Sequence, residues 1–490
     1  MNTQNDTQNQ YIIQLISEGY ERITQSEHEA DHVAGVESIM RAADLGHPNA
    51  QFMLGKFYTE GFVVDQSYEE AAKWYIQAAE NGHDEAPFTV GFLYKEGKGV
   101  PQSDEDAMLW WHKAADTGHA KAIFMLGSSY SFGLHTQKNE ALGTLYFAQA
   151  AKLGIATSQF YYAQALRDGV GTLANPAKAA IWYRKAAEQG DLQASYNLGC
   201  LYMEGHGVKQ NHQKAVYWFR KGAKHGDAMA QYNLAACYHA GLGVKENPTK
   251  AAVWMEKAAA NGYVPAMPII SDFYFKGKGV NHDAQKGMLY LRRAAMSGDI
   301  ASQCNLAECY FSAIYLPPDY CAAAYWYRRA AESGSPVGQF HFGIALEYGY
   351  GVQKNVQEAI VLYTCAALQG HTGAQYNLAI AYHYGRGVEP DMAEALKYYR
   401  LAAEGGDVDA MFNLAVCSQD GIGMAKAPEE AIRWYTAAAE QGYVKAQVNL
   451  ASCYERGEIT PKDLDKAKYW YQQAAEQHDS YALQALAQLN

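Results

Sequence analysis

The sequence predicts an all-α fold. It is a right-handed α-solenoid superhelix of about 12 helix-turn-helix repeats of 36 residues, with a degenerate N-terminal repeat and a C-terminal capping helix. Three observations predict it. Glycine pairs recur at multiples of 36 residues, the runs between them keep helical spacing, and a capping residue precedes the second run in nearly every copy.

The pair Gly205 and Gly207, in YMEGHGVKQN, could by itself be a phosphate loop or only a turn. It recurs as Gly97/Gly99, Gly169/Gly171, Gly241/Gly243, Gly277/Gly279, Gly349/Gly351, Gly385/Gly387 and Gly421/Gly423. A phosphate loop is needed once, whereas every unit needs a turn. Each pair also follows a helical run rather than a strand, which removes the nucleotide-binding reading.

Taken in order, residues 1–10 are polar and read as a disordered tail. Residues 11–49 read as the degenerate N-terminal repeat, because GVESIMRAADLG keeps the alanine pair Ala42/Ala43. Residues 50–481 hold the twelve repeats, and 482–490 form the capping helix over the last of them. Within one repeat, Ala194, Leu198, Leu201 and Tyr202 share a helical face that Gly205 ends. Ala215, Trp218, Phe219, Gly222 and Ala223 share the face of the second helix, ended by Gly226. Its cap place is Ser67, Ser103, Asn139, Asn175, Asn211, Asn247, Asp283, Asp319, Asn355, Asp391, Ala427 and Asp463 in turn, so only Ala427 lacks an acceptor. Alanine pairs such as Ala186/Ala187 allow close helix approach, and Trp182/Tyr183 and their equivalents fill the remaining space.

The pattern A-x-x-x-L-G-x-x-Y-x-x-G-x-G-V, then K-A-x-x-W-Y-x-x-A-A-x-x-G, resembles the Sel-one-like repeat family, a subclass of the tetratricopeptide-like solenoids. The resemblance covers about residues 11 to 489. It implies a non-enzymatic, bacterial protein-protein interaction scaffold or adaptor. The alternatives are an immunity protein that neutralises a cognate toxin and a regulatory subunit of an enzyme complex. Some copies depart from the pattern. Val63, His135 and Ile459 replace the second glycine, and SAIYLPPDY puts Ala313 and Tyr315 in both glycine places. That loop is either a contact or drift in a tolerant turn.

In related solenoids the first helix of each pair lines a concave groove, where another protein or an extended peptide would bind. Asn197, Asn233, Asn305, Asn377, Asn413 and Asn449 hold one repeated place there, with His341 in the same place and His239 and His383 in another. Such a ladder could hold a peptide backbone, or the asparagines could simply bond a neighbouring helix. The second helix carries Arg184/Lys185, Arg220/Lys221, Arg292/Arg293 and Arg328/Arg329, either an outer docking strip for an acidic partner or a solvated face. Cys237, Cys309, Cys417 and Cys453 share a buried place.

The formal charge of −12 argues against nucleic acid as partner, although it is uneven: −12 over residues 1–140, +8 over 141–330 and −8 over 331–490. No stretch reads as a secretory signal or a membrane span, and the eight scattered cysteines fit a reducing compartment. A cytoplasmic location is therefore expected, with delivery by a specialised secretion system left open. HEADH, His28 to His32, has the H-E-x-x-H form of a zinc peptidase, but the repeat register sets Asp31 at the helix cap and most of the motif in a loop. No metal, cofactor or catalytic set is expected.

Overall fold

The computed structural model describes residues 2–315 and 317–489, with side chains from residue 8 onward. Met1, Leu316 of the proline-bearing loop and Asn490 of the expected capping helix lie outside the described residues. Among those described there are 27 helices and no strand, and no helix is long and apolar enough to cross a membrane. The chain divides into two compact units, one up to Asn261 and one from Gly262 onward. Within each unit every helix packs against its neighbours in the chain, so each is an α-solenoid.

The fifth repeat, residues 192–227, shows why these residues form this pair. Its first helix is Leu192–Glu204, which starts two residues before the Ala194 register. The sequence reading missed its cap: Asp191 accepts from the Ala194 amide at 2.7 Å. Asp227, Asp299 and Asp407 cap later first helices in the same way. Gly205 closes the helix at φ 76°, left-handed, with its amide on the Leu201 carbonyl. The second helix, His212–Lys224, opens at Asn211, whose side chain accepts from the Lys214 amide at 2.9 Å. All eleven predicted second-helix caps bond the amide three residues on, and Ala427 does not.

The two helices of a repeat approach through a small residue under a large apolar side chain, a ring in every copy but the sixth and seventh, where Met255 and Leu291 stand. A Cβ on Gly199 would lie 2.5 Å from the Phe219 ring, and one on Gly343 would lie 2.7 Å from Tyr363. Ala307, Ala379, Ala415 and Ala451 take the same place in the second unit. The rings are among the most deeply buried groups: Trp111, Tyr183, Tyr399 and Tyr471 are all 0% exposed.

Successive repeats are joined by two further devices. The second glycine of each turn packs on the first turn of the preceding second helix, where a Cβ on Gly207 would come within 2.3 Å of the Pro176 carbonyl carbon. A buried glutamine also reaches back across the junction. Gln231 donates to the Ala223 carbonyl at 3.1 Å and accepts from Asn261 at 2.9 Å, and Gln51 and Gln447 do likewise. Gln303 keeps the first bond, but its Oε1 has no partner, because Ser333 stands where Asn81, Gln189, Asn261, Gln369 and Gln477 complete the pair in other copies.

Two expectations at the N-terminus change. The residues read as a tail are helical from Asn2, in a helix that runs to Gln25 and buries Ile12 and Leu15; no glycine or proline interrupts its polar start. The second helix begins at Glu29 with His28 at its cap, not at Asp31. Ser26 donates to Asp31 at 2.6 Å and so closes the turn three residues early, and the His32 ring bonds the Ser26 carbonyl at 2.8 Å. Where another residue replaces a turn glycine, Val63, His135 and Ala313 still take left-handed φ of 64°, 64° and 54°.

Gly207→Ala is expected to lower stability by at least about 2 kcal/mol, since it adds a clash to left-handed strain. Gly226→Ala, with open space around it, should cost only about 1 kcal/mol in urea denaturation. Ser333→Asn should raise stability by about 1 kcal/mol by completing the Gln303 pair, and no gain in the urea midpoint would refute that assignment.

Candidate protein-binding face

On the first-helix face the same crevice recurs. One wall is the C-terminal end of a first helix, the floor is the buried ring of its second helix, and the far wall is the next first helix. In the first unit a crevice of about 220 Å³ lies among Phe132, Phe147, Tyr161 and Asp168. In the second unit one of about 220 Å³ contains Glu308, Tyr327 and His341. A larger hollow of about 360 Å³, without a second-helix ring in its lining, lies along Asn449, Ser452, Arg456 and Tyr481.

The ladder residues sit on the far wall of this crevice place, and most are half-buried with bonds inside the array. Asn197 accepts from Arg167 at 2.7 Å and donates to the Gln193 carbonyl at 2.9 Å. Asn233 donates to the Met229 carbonyl at 3.0 Å. Asn377 bonds the Tyr363 hydroxyl, and Asn449 donates to Tyr435 at 3.3 Å. Asn413 donates to Tyr376 at 3.4 Å, and Asn305 is exposed. His341 stacks on the Tyr327 ring at 4.8 Å. His383 bonds the Tyr399 hydroxyl at 3.2 Å, and His239 is half-buried.

The hydroxyls of the buried tyrosines therefore supply much of the polarity of this face. Tyr327 donates to Glu308 at 2.7 Å, Tyr363 to Glu347 at 2.7 Å and Tyr471 to Glu455 at 2.8 Å. Burial, reinforced by these carboxylates, pushes the three hydroxyls well above their ordinary range, so they remain donors. Sequence reasoning missed Glu308, Glu347 and Glu455. Their only signal is an acid 16 or 19 residues before a buried tyrosine, a separation that means nothing until the two helices are paired.

The basic residues lie on the other face. In the first unit Arg184 donates to Tyr202 at 2.6 Å and Arg220 to Tyr238 at 3.2 Å, each tyrosine belonging to the next repeat. Lys185 lies over Trp182, while Lys221 lies over Trp218 and bonds the Ala187 carbonyl. In the second unit Arg292 donates to Tyr310 at 2.6 Å and Arg328 pairs with Glu332 at 2.9 Å. Arg293 and Arg329 lie over Tyr290 and Trp326. Cys237, Cys309, Cys417 and Cys453 are buried, and burial pushes the Cys237, Cys417 and Cys453 thiols up to about 11.

The Sel1 repeat family matches residues 48–83, 88–119, 120–155, 156–191, 192–227, 228–263, 270–299, 300–335, 336–371, 372–407, 408–443 and 444–479. The chain is similar to the crystal structure of a protective antigen of uropathogenic Escherichia coli displaying an SLR fold. The two are 30% identical over 93% of this chain and 96% of that one, with a TM-score of 0.69. It is also similar to a Sel1 repeat protein from Oxalobacter formigenes, at 29% identity over 63% of this chain and 89% of that one, with a TM-score of 0.56. No curated protein matches.

Burial holds the His341 imidazole below its ordinary value, against a weaker opposing pull from Glu308, and burial acts alike on His371 and His383. Their stabilising contribution is complete above the unfolded value of about 6.5 and is lost as pH falls toward the folded value. Urea midpoints should therefore drop as pH falls below about 6.5, and His341→Gln should make that slope shallower. An unchanged slope would contradict the burial of a neutral ring.

Proposed function

The chain belongs to the Sel1 repeat family, and from its repeated crevices we propose that it is a non-enzymatic scaffold that grips an extended segment of a partner protein along the first-helix face. One observation carries this reading. Twelve copies of one frame stand in a single chain, and what the frame requires can be separated from what it leaves free. The seventh place is large and apolar in every copy but one, Tyr162, for example Leu54, Leu126, Leu198, Leu306 and Leu450, all 0 or 1% exposed. The ninth place, on the crevice wall, carries Lys56, Phe92, Ser128, Gln164, Cys200 and Ala236 in the first unit. In the second unit it carries Asp272, Glu308, Ile344, Ile380, Val416 and Ser452, all half-buried. A place that is half-covered in most copies, positioned by rigid helices and chemically varied along the array suits side-chain recognition. The ladder asparagines then brace the walls and offer their remaining polar atoms to a peptide backbone.

The relatives named above come from bacteria, which supports a bacterial setting. All eight cysteines are free, with Cys321 and Cys365 exposed, which supports a reducing compartment such as the cytoplasm. The basic residues of the second helices remain available as a secondary docking surface, although most already have partners between or within repeats.

Ile380→Lys and Val416→Lys together should weaken capture of the cognate partner by at least ~10-fold, measured by quantitative pull-down from the source cell. Val361→Lys, at a place 60% exposed on a second helix, should leave capture unchanged. The opposite pattern would move the binding face to the second helices.

A further inference from the structure

The eighth repeat, residues 300–335, departs most from the frame, and its crevice differs in charge from its counterpart in the first unit. In the first-unit crevice both acids are neutralised: Asp168 by Arg167 at 2.7 Å and Glu140 by Lys138 at 2.6 Å. In the second-unit crevice Glu308 has no such partner among the described residues. Its oxygens accept only from neutral hydroxyls, Oε1 from Ser312 and Oε2 from Tyr327 at 2.7 Å. Those bonds hold its carboxyl below the ordinary carboxylate range, Ser312 contributing most, so it is charged at neutral pH. His341 beside it is kept neutral by burial. A half-buried anion without a counter-charge is an incomplete arrangement.

The rim supplies aromatic surface. Phe311 meets Tyr320 edge-on at 5.4 Å and Tyr350 edge-on at 5.7 Å, while Tyr320 and Tyr350 lie 5.6 Å apart. Tyr320 is 43% and Tyr350 38% exposed. Tyr315, in a glycine place of the turn, stacks parallel on Phe275 at 4.0 Å and does not line the crevice. The mouth is therefore ringed by π-faces with one carboxylate inside.

We propose that this crevice receives an arginine side chain of the partner segment, a specificity that rests on the reading of the first-helix face as the binding face. A guanidinium is planar, stacks on aromatic faces and offers paired N–H donors to a carboxylate. Each Glu308 oxygen, with one bond accepted, retains a lone pair for one of those donors. The volume of about 220 Å³ suits one long side chain rather than a domain.

The test uses the full chain and short fluorescent Gly-Ser-Ala peptides carrying one central arginine, lysine or citrulline, read by anisotropy. The arginine peptide should bind at least ~10-fold tighter than the citrulline peptide, and tighter than the lysine peptide. Glu308→Gln, which keeps the shape of the side chain, should abolish the arginine–citrulline difference. Tyr350→Ala, a change at the exposed rim, should weaken arginine binding ~3-fold or more. Equal binding of arginine and citrulline, tighter binding of lysine, or an unchanged Glu308→Gln variant would overturn the proposal. Hydrogen exchange separates the two levels. Protection of residues 300–348 supports the arginine site. Protection of other first helices alone overturns this site but not the binding face, and protection of no first helix overturns both.

Discussion

The structure depends on how closely the two helices of a repeat can approach. A glycine, alanine or serine in the first helix lies under a large ring of the second, as at Gly199 beneath Phe219 and Gly91 beneath Trp111. A larger residue there would lift the ring and open a cavity along the core, and cavities in close-packed interiors are costly. With the approach fixed, the ring is wholly buried, and where it is a tyrosine its hydroxyl emerges at the first-helix face. The same contact that makes the core thus decides where the polar groups of the candidate binding face appear.

Stacking then becomes a matter of satisfying the polar groups that each helix end exposes. The second helix leaves carbonyls near its C-terminus, and the next repeat answers with a buried glutamine, as Gln231 does for Ala223. The residue 30 positions later completes the amide, as Asn261 does for Gln231. Caps at both helix starts and left-handed glycines at the ends complete the pattern. Since each bond links neighbours only, the stability of each unit is a sum of local terms. A single altered repeat can then be tolerated, and the eighth shows it: Ala313 and Tyr315 replace both glycines, yet the flanking helices keep their places.

That tolerance separates frame from function. The place under the ring stays small in every copy, glycine, alanine or serine, whereas the ninth place ranges over charged, polar, aromatic and aliphatic side chains across the twelve copies. The arginines of the second helices show the reverse case. They look like a docking strip in the sequence, but Arg184, Arg220 and Arg292 each bond a tyrosine of the following repeat.

The sequence by itself determined the repeat length, the helix pairs, the second-helix caps and the buried cysteine place, because each rests on contacts within a few residues or on strict periodicity. It set the helix after residue 28 three residues late and left residues 2–10 out of a helix, because the repeat rhythm is weakest there and local bonds such as Ser26 to Asp31 take over. Only the tertiary structure decided that the ladder asparagines bond within the array, that Glu308, Tyr327 and His341 share one crevice, and which acids lack a counter-charge. Most of those facts join side chains 14 to 37 residues apart, and such separations acquire meaning only when helices are packed side by side.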